Sequence, residues 1–135
     1  MQIDLNKYQH FVDAVTSQPS NNVAVLIQRL HDLSQEPDLN ISLLMTASVG
    51  LASEGGEFSE IVKKMVFQGK PWNEDNHEHL IIELGDIMWY VAQACIALGV
   101  SFDDVIAGNV KKLEKRYPGG SFDVYYSENR AADDR

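Results

Sequence analysis

The stretch HLIIELGDIMWYVAQACIALG, residues 79–99, decides the fold. Its polar members His79, Glu83, Asp86, Tyr90 and Gln93 recur at steps of four and three, so on a helix they share one narrow stripe. Nearly everything else in the segment is apolar, from Leu80, Ile81 and Ile82 through Trp89 to Ile96 and Leu98. The spacing predicts a helix over 76–99, ended by Gly99. Glu83, Asp86 and Gln93 interrupt the run and make it a poor membrane span, because ionised groups at mid-bilayer are costly. A helix apolar around most of its circumference needs more cover than a chain of 135 residues supplies. A homodimer or homotetramer with helices packed across the interface is therefore expected, and its site can borrow residues from a second chain.

Outward from this segment the chain reads as helix and turn. Leu5, Tyr8, Phe11, Val12 and Val15 give a short amphipathic helix over 5–16. Thr16–Asn22, rich in Ser, Asn and Pro, reads as a loop. A second helix follows over 23–34 and stops near Glu36-Pro37. Asn40 is an N-cap for a long helix over 40–68, broken by Gly69-Lys70-Pro71-Trp72-Asn73. Ser101 with Asp104 forms a capping-box pattern for a last helix that runs to Tyr117 and is stopped by Pro118-Gly119-Gly120. Residues 121–135 carry little apolar periodicity and are expected to be a flexible tail behind a single domain over 1–120. The expected architecture is all-α, a four-to-five-helix bundle.

The net charge of −9 argues against a protein that wraps nucleic acid, which needs a basic face. It also implies that an anionic substrate arrives with metal, or after metal has filled an acidic site. The single cysteine, Cys95, cannot staple the fold and fits a reducing compartment. The N-terminal MQIDLNKYQH has neither a basic n-region nor an apolar h-region, so a cytoplasmic location is expected.

Two carboxylates three residues apart on a helix can reach one cation. Four such pairs occur: Glu54/Glu57, Glu57/Glu60, Asp75/Glu78 and Glu83/Asp86. Among twenty acidic residues a single pair means little, and position on the helix separates them. Stepping about 100° per residue, Leu43, Ala47, Gly50, Leu51, Phe58, Ile61 and Met65 fall within about 60° of Glu54. Glu54 and Glu57 thus lie on or beside the apolar face, while Glu60 swings away toward Lys63. A buried carboxylate without a counter-charge is expensive. On the next helix Glu83 and Asp86 sit in a stripe without Lys or Arg, whereas exposed helices intersperse both signs. Packed antiparallel, the two helices bring Glu54, Glu57, Glu83 and Asp86 together. Hard oxygen ligands with no convergent His or Cys favour Mg²⁺, with Mn²⁺ as substitute, over zinc.

The last helix carries the opposite charge. Asn109, Lys112 and Arg116 line up at i, i+3 and i+7, a row of donors suited to phosphate oxygens. A basic C-terminus that merely suits the helix dipole explains Lys111 and Lys115 better than Lys112 and Arg116. Tyr90 and Trp72, with Tyr8 or Phe11, are aromatic candidates to line a binding site, although aromatics at helical spacing usually belong to the core. Phe11 and Trp89 read as core, while Tyr90 and Trp72 stand open to either part. Glu74-x-x-His77 has the spacing of a di-iron ligand pair, but it lies beside a turn and has no second copy. His79 is expected to pack or to face solvent. Glycines 50, 55 and 56 are costly within a helix, and close approach of a neighbouring helix or a substrate explains them.

Taken together, Gly50-Leu51-Ala52-Ser53-Glu54-Gly55-Gly56-Glu57, then Glu60 and Lys63-Lys64, then Glu83-Leu84-Gly85-Asp86, then Asn109 to Pro118, resemble the MazG-like nucleotide pyrophosphohydrolases of the all-α NTP pyrophosphatase superfamily. The likeness covers about residues 40–120, with an opening Leu5–Gln9 similar to many members. The resemblance implies that Glu54, Glu57, Glu83 and Asp86 are the Mg²⁺ ligands, and that Asn109, Lys112 and Arg116 match the family's C-terminal pattern. Tyr90 matches a tyrosine that recurs four residues after the metal-binding Asp. The loop at Gly69–Trp72 and the helix at 23–34 depart from compact members and reshape the base pocket.

The activity so implied is attack of water on the α-phosphorus of an NTP or dNTP, giving the monophosphate and pyrophosphate. Glu57 is the choice for general base, with Lys112, Arg116 and Lys64 gripping the departing phosphates. House-cleaning of the nucleotide pool and dNTP supply are both open as roles. The alternatives are a related enzyme acting on phosphoribosyl-ATP or an alarmone, and a catalytically silent helical module that binds a nucleotide or protein.

Overall fold

In the computed structural model residues 3–130 are described, and every regular element among them is a helix. The order is α1 (Leu5–Val15), α2 (Gln18–Asn21), α3 (Val23–Ser34), α4 (Ile41–Gln68), α5 (Glu74–Ala97), α6 (Phe102–Arg116) and α7 (Val124–Glu128). The all-α expectation is borne out, and five of these helices are the five expected from sequence.

Local chemistry sets the boundaries. Asn40 caps α4, its Oδ1 accepting from the Leu43 N–H at 3.0 Å. Gly69 ends α4 at φ 72°, a left-handed conformation that costs glycine least, and the Lys70 N–H reaches back to the Lys64 carbonyl at 3.1 Å. The helix expected from residue 76 begins two residues earlier. Asn73 supplies the cap, accepting from the Asn76 N–H at 3.0 Å, and Glu74 and Asp75 favour the first turn. Buried Asn76 then ties the connection down through its Nδ2, 2.6 Å from the Pro71 carbonyl. Ser101 and Asp104 close the expected capping box at the start of α6.

Two segments differ from their sequence reading. The stretch Thr16–Asn22, expected as loop, holds the one-turn helix α2, because Pro19 has its φ preset for a first helical turn. The expected tail carries the short helix α7, capped by Asp123, while its last residues, 131–135, lie outside the described residues.

The extensive packing among the described elements is α4 against α5, with α2 and α3 packed on each other and α3 leaning on α4. The two long helices run antiparallel across the turn at residues 69–73. The register is pinned at the open end, where the Asn40 N–H donates to the Ala97 carbonyl at 2.9 Å. Midway, Tyr90 lies against Gly50. The buried seam is built of small residues and one branched one: Ala47, Gly50, Ile61, Cys95 and Ala97.

Much apolar surface remains outside this seam. The chain exposes 10723 Å², where a compact monomer of 15.1 kDa would expose about 7,000 Å². Phe11 and Trp89, read from sequence as core, are 62% and 64% exposed, because no other described element of the chain covers their helix faces. Helix α5 has the length and mean hydropathy, 1.5 over 18 residues, to cross a bilayer. Its midsection nevertheless carries Glu83 and Asp86, and Glu83 is buried against α4.

Candidate active site

Glu54 and Glu57 stand one turn apart in the middle of α4, and the antiparallel register sets Glu83 of α5 opposite them. One carboxylate oxygen from each of the three lies within 4.8 Å of the other two. Glu83 is 4% exposed, Glu54 half-buried and Glu57 exposed. Burial raises the Glu54 pKa above its ordinary value, and the charges of Glu57, Asp86 and Glu83 raise it further. The two basic residues closest in sequence on α4 are engaged elsewhere: Lys63 and Lys64 both pair with Glu60, Lys64 Nζ at 3.2 Å from Oε1. Those bonds hold the Glu60 carboxyl below its ordinary pKa. Converging anions short of positive charge, offering hard oxygen donors, fit a divalent cation such as Mg²⁺ or Mn²⁺.

The sequence-derived ligand set is thus brought together in three of its four members. Asp86 is exposed and outside the converging group, yet close enough to Glu54 to bear on its charge. One residue takes a part that the sequence reading did not give it: His79, expected to pack or to face solvent. Its Nε2 lies 2.9 Å from Glu83 Oε1, so an imidazole stands at the acidic cluster, where none was expected to converge. The signal was the i, i+4 spacing of the two, which lets side chains meet on a helix. The sequence reading weighed that stripe for Lys and Arg and left the imidazole to packing or solvent.

The other candidates are more dispersed. Asn109, Lys112 and Arg116 lie on α6, which is not extensively packed on α4 or α5 among the described residues. Asn109 and Lys112 border a shallow depression with Val105, Ile106 and Gly108. The Tyr90 ring fills the space beside Gly50, so Gly50 serves helix approach. A methyl group at Gly55 or Gly56 would meet nothing within 4 Å, so packing against a neighbouring helix does not explain these two glycines. Trp72 is 68% exposed in the interhelical turn, its ring centroid 5.4 Å from that of His77, edge to face. That contact takes His77 into the turn's packing, and the di-iron spacing of Glu74 and His77 gathers no third ligand among the described residues.

Residues 44–121 match the MazG nucleotide pyrophosphohydrolase domain, a span that holds the α4–α5 hairpin, every converging acid and α6. The chain belongs to the MazG family. Gene 37 protein of Mycobacterium phage L5 is 37% identical over 83 residues, which is 60% of this chain and 72% of that relative. Its name carries no activity. No solved structure matches the chain. Membership of the MazG family brings nucleotide pyrophosphohydrolase chemistry to this domain, and the three converging carboxylates are the part that this chain's own geometry supplies.

Proposed function

We propose that this MazG domain hydrolyses nucleoside triphosphates, NTP or dNTP, to the monophosphate and pyrophosphate, with Mg²⁺ as its cation and Mn²⁺ as a substitute. The observation that carries the proposal is the convergence of Glu54, Glu57 and Glu83 across α4 and α5. Glu54 and Glu83 would hold the cation, with Glu57 as third ligand or as general base in its place, and Asp86 at the border of the set. When bound, it supplies charge neutralisation at the phosphates and lowers the cost of forming a nucleophile from water.

The residues divide the remaining work. Exposed Glu57 is the member of the trio best placed to take a proton from water while Glu54 and Glu83 stay as ligands. Water adds to the α-phosphorus, the bond to the bridging oxygen of the β-phosphate breaks, and pyrophosphate leaves. Lys112 and Arg116 grip the leaving phosphates, Asn109 donates beside them, and Lys64 assists if it exchanges Glu60 for phosphate. Tyr90 and Trp72 are the aromatic candidates for the base; about 24 Å of helix separates Tyr90 from the turn that carries Trp72, so one of them, not both from one chain, stacks on it.

The separation of α6 from the acidic hairpin, and the wide apolar faces of α1, α5 and α6, support a homodimer or homotetramer as the working form. A single domain over 1–120, followed by a C-terminal segment and acting in the cytoplasm, completes the proposal. The test is product analysis across a panel of NTPs and dNTPs with Mg²⁺. Monophosphate plus pyrophosphate is the expected result. Diphosphate plus inorganic phosphate, or no turnover of any nucleotide, overturns it.

A further inference from the structure

Glu83 combines deep burial with a single polar neighbour of opposite tendency. The residue is 4% exposed, and His79, one turn earlier on α5, puts Nε2 at 2.9 Å from its Oε1. The imidazole itself is 52% exposed. It is also outside the group whose ligating atoms converge, so it stands behind Glu83 rather than beside Glu54 and Glu57. A carboxylate with a ring nitrogen paired against one oxygen is restricted in how it can turn, and its second oxygen is left for a cation. Glu54 and Glu57 have no such paired side chain among the hydrogen bonds and ion pairs described, and both are more exposed than Glu83.

We propose that His79 is a positioning residue for the cation site: its ring, paired through Nε2 with Glu83, holds that carboxylate in the orientation a divalent ion meets. The proposal rests on the metal-site reading above. Fixing one ligand in advance spares the ion from ordering it on binding, so the bond acts on affinity rather than on the number of ions bound.

The test uses the full chain and Mn²⁺ alone, with unbound Mn²⁺ followed by electron paramagnetic resonance. His79→Ala is expected to weaken Mn²⁺ about tenfold or more with unchanged stoichiometry. His79→Gln, whose amide can donate to a carboxylate four residues on, is expected to recover binding to within about threefold of the parent. Circular dichroism of both variants reports that the helices are intact. Parent-like binding by His79→Ala overturns the proposal, and so does a His79→Gln variant no better than His79→Ala. A parent chain that binds no Mn²⁺ gives a different result, since it overturns the metal-site reading itself.

Discussion

Tyr90 of α5 occupies the space in which a side chain at residue 50 of α4 would stand: a methyl on Gly50 would fall 2.2 Å from Tyr90 Cε1 and 2.4 Å from its Cζ. Glycine therefore holds a mid-helix position where it is otherwise unfavourable, and the two long helices approach across it. Gly50→Ala should lose about 1–3 kcal/mol to overpacking, partly offset by about 1 kcal/mol of better helix propensity. Urea unfolding of Gly50→Ala, Tyr90→Ala and the double variant checks this. The two changes should couple, with the double variant less destabilised than the sum of the singles.

Glu54 should trade stability for function. Its folded-state pKa lies above the ordinary value of 4.5, through burial and then the neighbouring acids. The ionised form thus weighs against the fold. That cost is absent at pH values below the unfolded pKa, grows as pH rises through it, and is complete above the raised value. Without metal at neutral pH, Glu54→Gln should melt higher than the parent, and the difference should vanish in acid. Added Mg²⁺ should raise the melting temperature of the parent and not of the variant.

The capping box at α6 predicts an opposite pH response. The Ser101 hydroxyl, and then its backbone N–H, hold Asp104 below its ordinary pKa of 3.8. Its contribution is present above that ordinary value and disappears as pH falls through the lowered one. Asp104→Ala should flatten the acid limb of the stability curve. Ser101→Ala, which removes the cap itself, should cost about 1 kcal/mol at neutral pH.

Uncovered apolar faces predict self-association. The melting temperature should rise with protein concentration, and the chain should elute above its 15.1 kDa monomer mass. Trp89→Asp, on the exposed face of α5, should abolish the concentration dependence while leaving the helical signal.

Lys112→Ala and Arg116→Ala should each lower kcat/KM for a triphosphate by about a hundredfold if they meet the phosphates. Steady-state kinetics with Mg²⁺ in excess measures it. An effect below about threefold in both would place the phosphate grip elsewhere.

The helices were legible because their signals are local. Asn40, Ser101 and Gly69 punctuate the chain with side-chain and backbone preferences that operate within a few residues. The inward turn of Glu54 was legible from 3.6-residue periodicity, since Ala47, Gly50 and Ile61 on the same side are indeed buried. The part that periodicity could not supply is tertiary. The shift of Asp86 to the border of the cluster depends on the rotation of α5 about its axis, which a helical wheel leaves free. The exposure of Trp89 and Phe11 depends on which faces the chain can cover, which no single segment encodes. Spacing alone placed His79 on the stripe of Glu83, four residues before it; that its ring lies against that carboxylate came only with the side-chain positions.

The short turn between α4 and α5 has a consequence for how the protein comes into being. Glu54, Glu57 and Glu83 all belong to one hairpin, so the chain between them is the hairpin itself and no distant length of polypeptide must be gathered in. Contacts close in sequence form quickly. The acids can thus meet while the flanking segments are still unstructured, ahead of the outer helices finding their places.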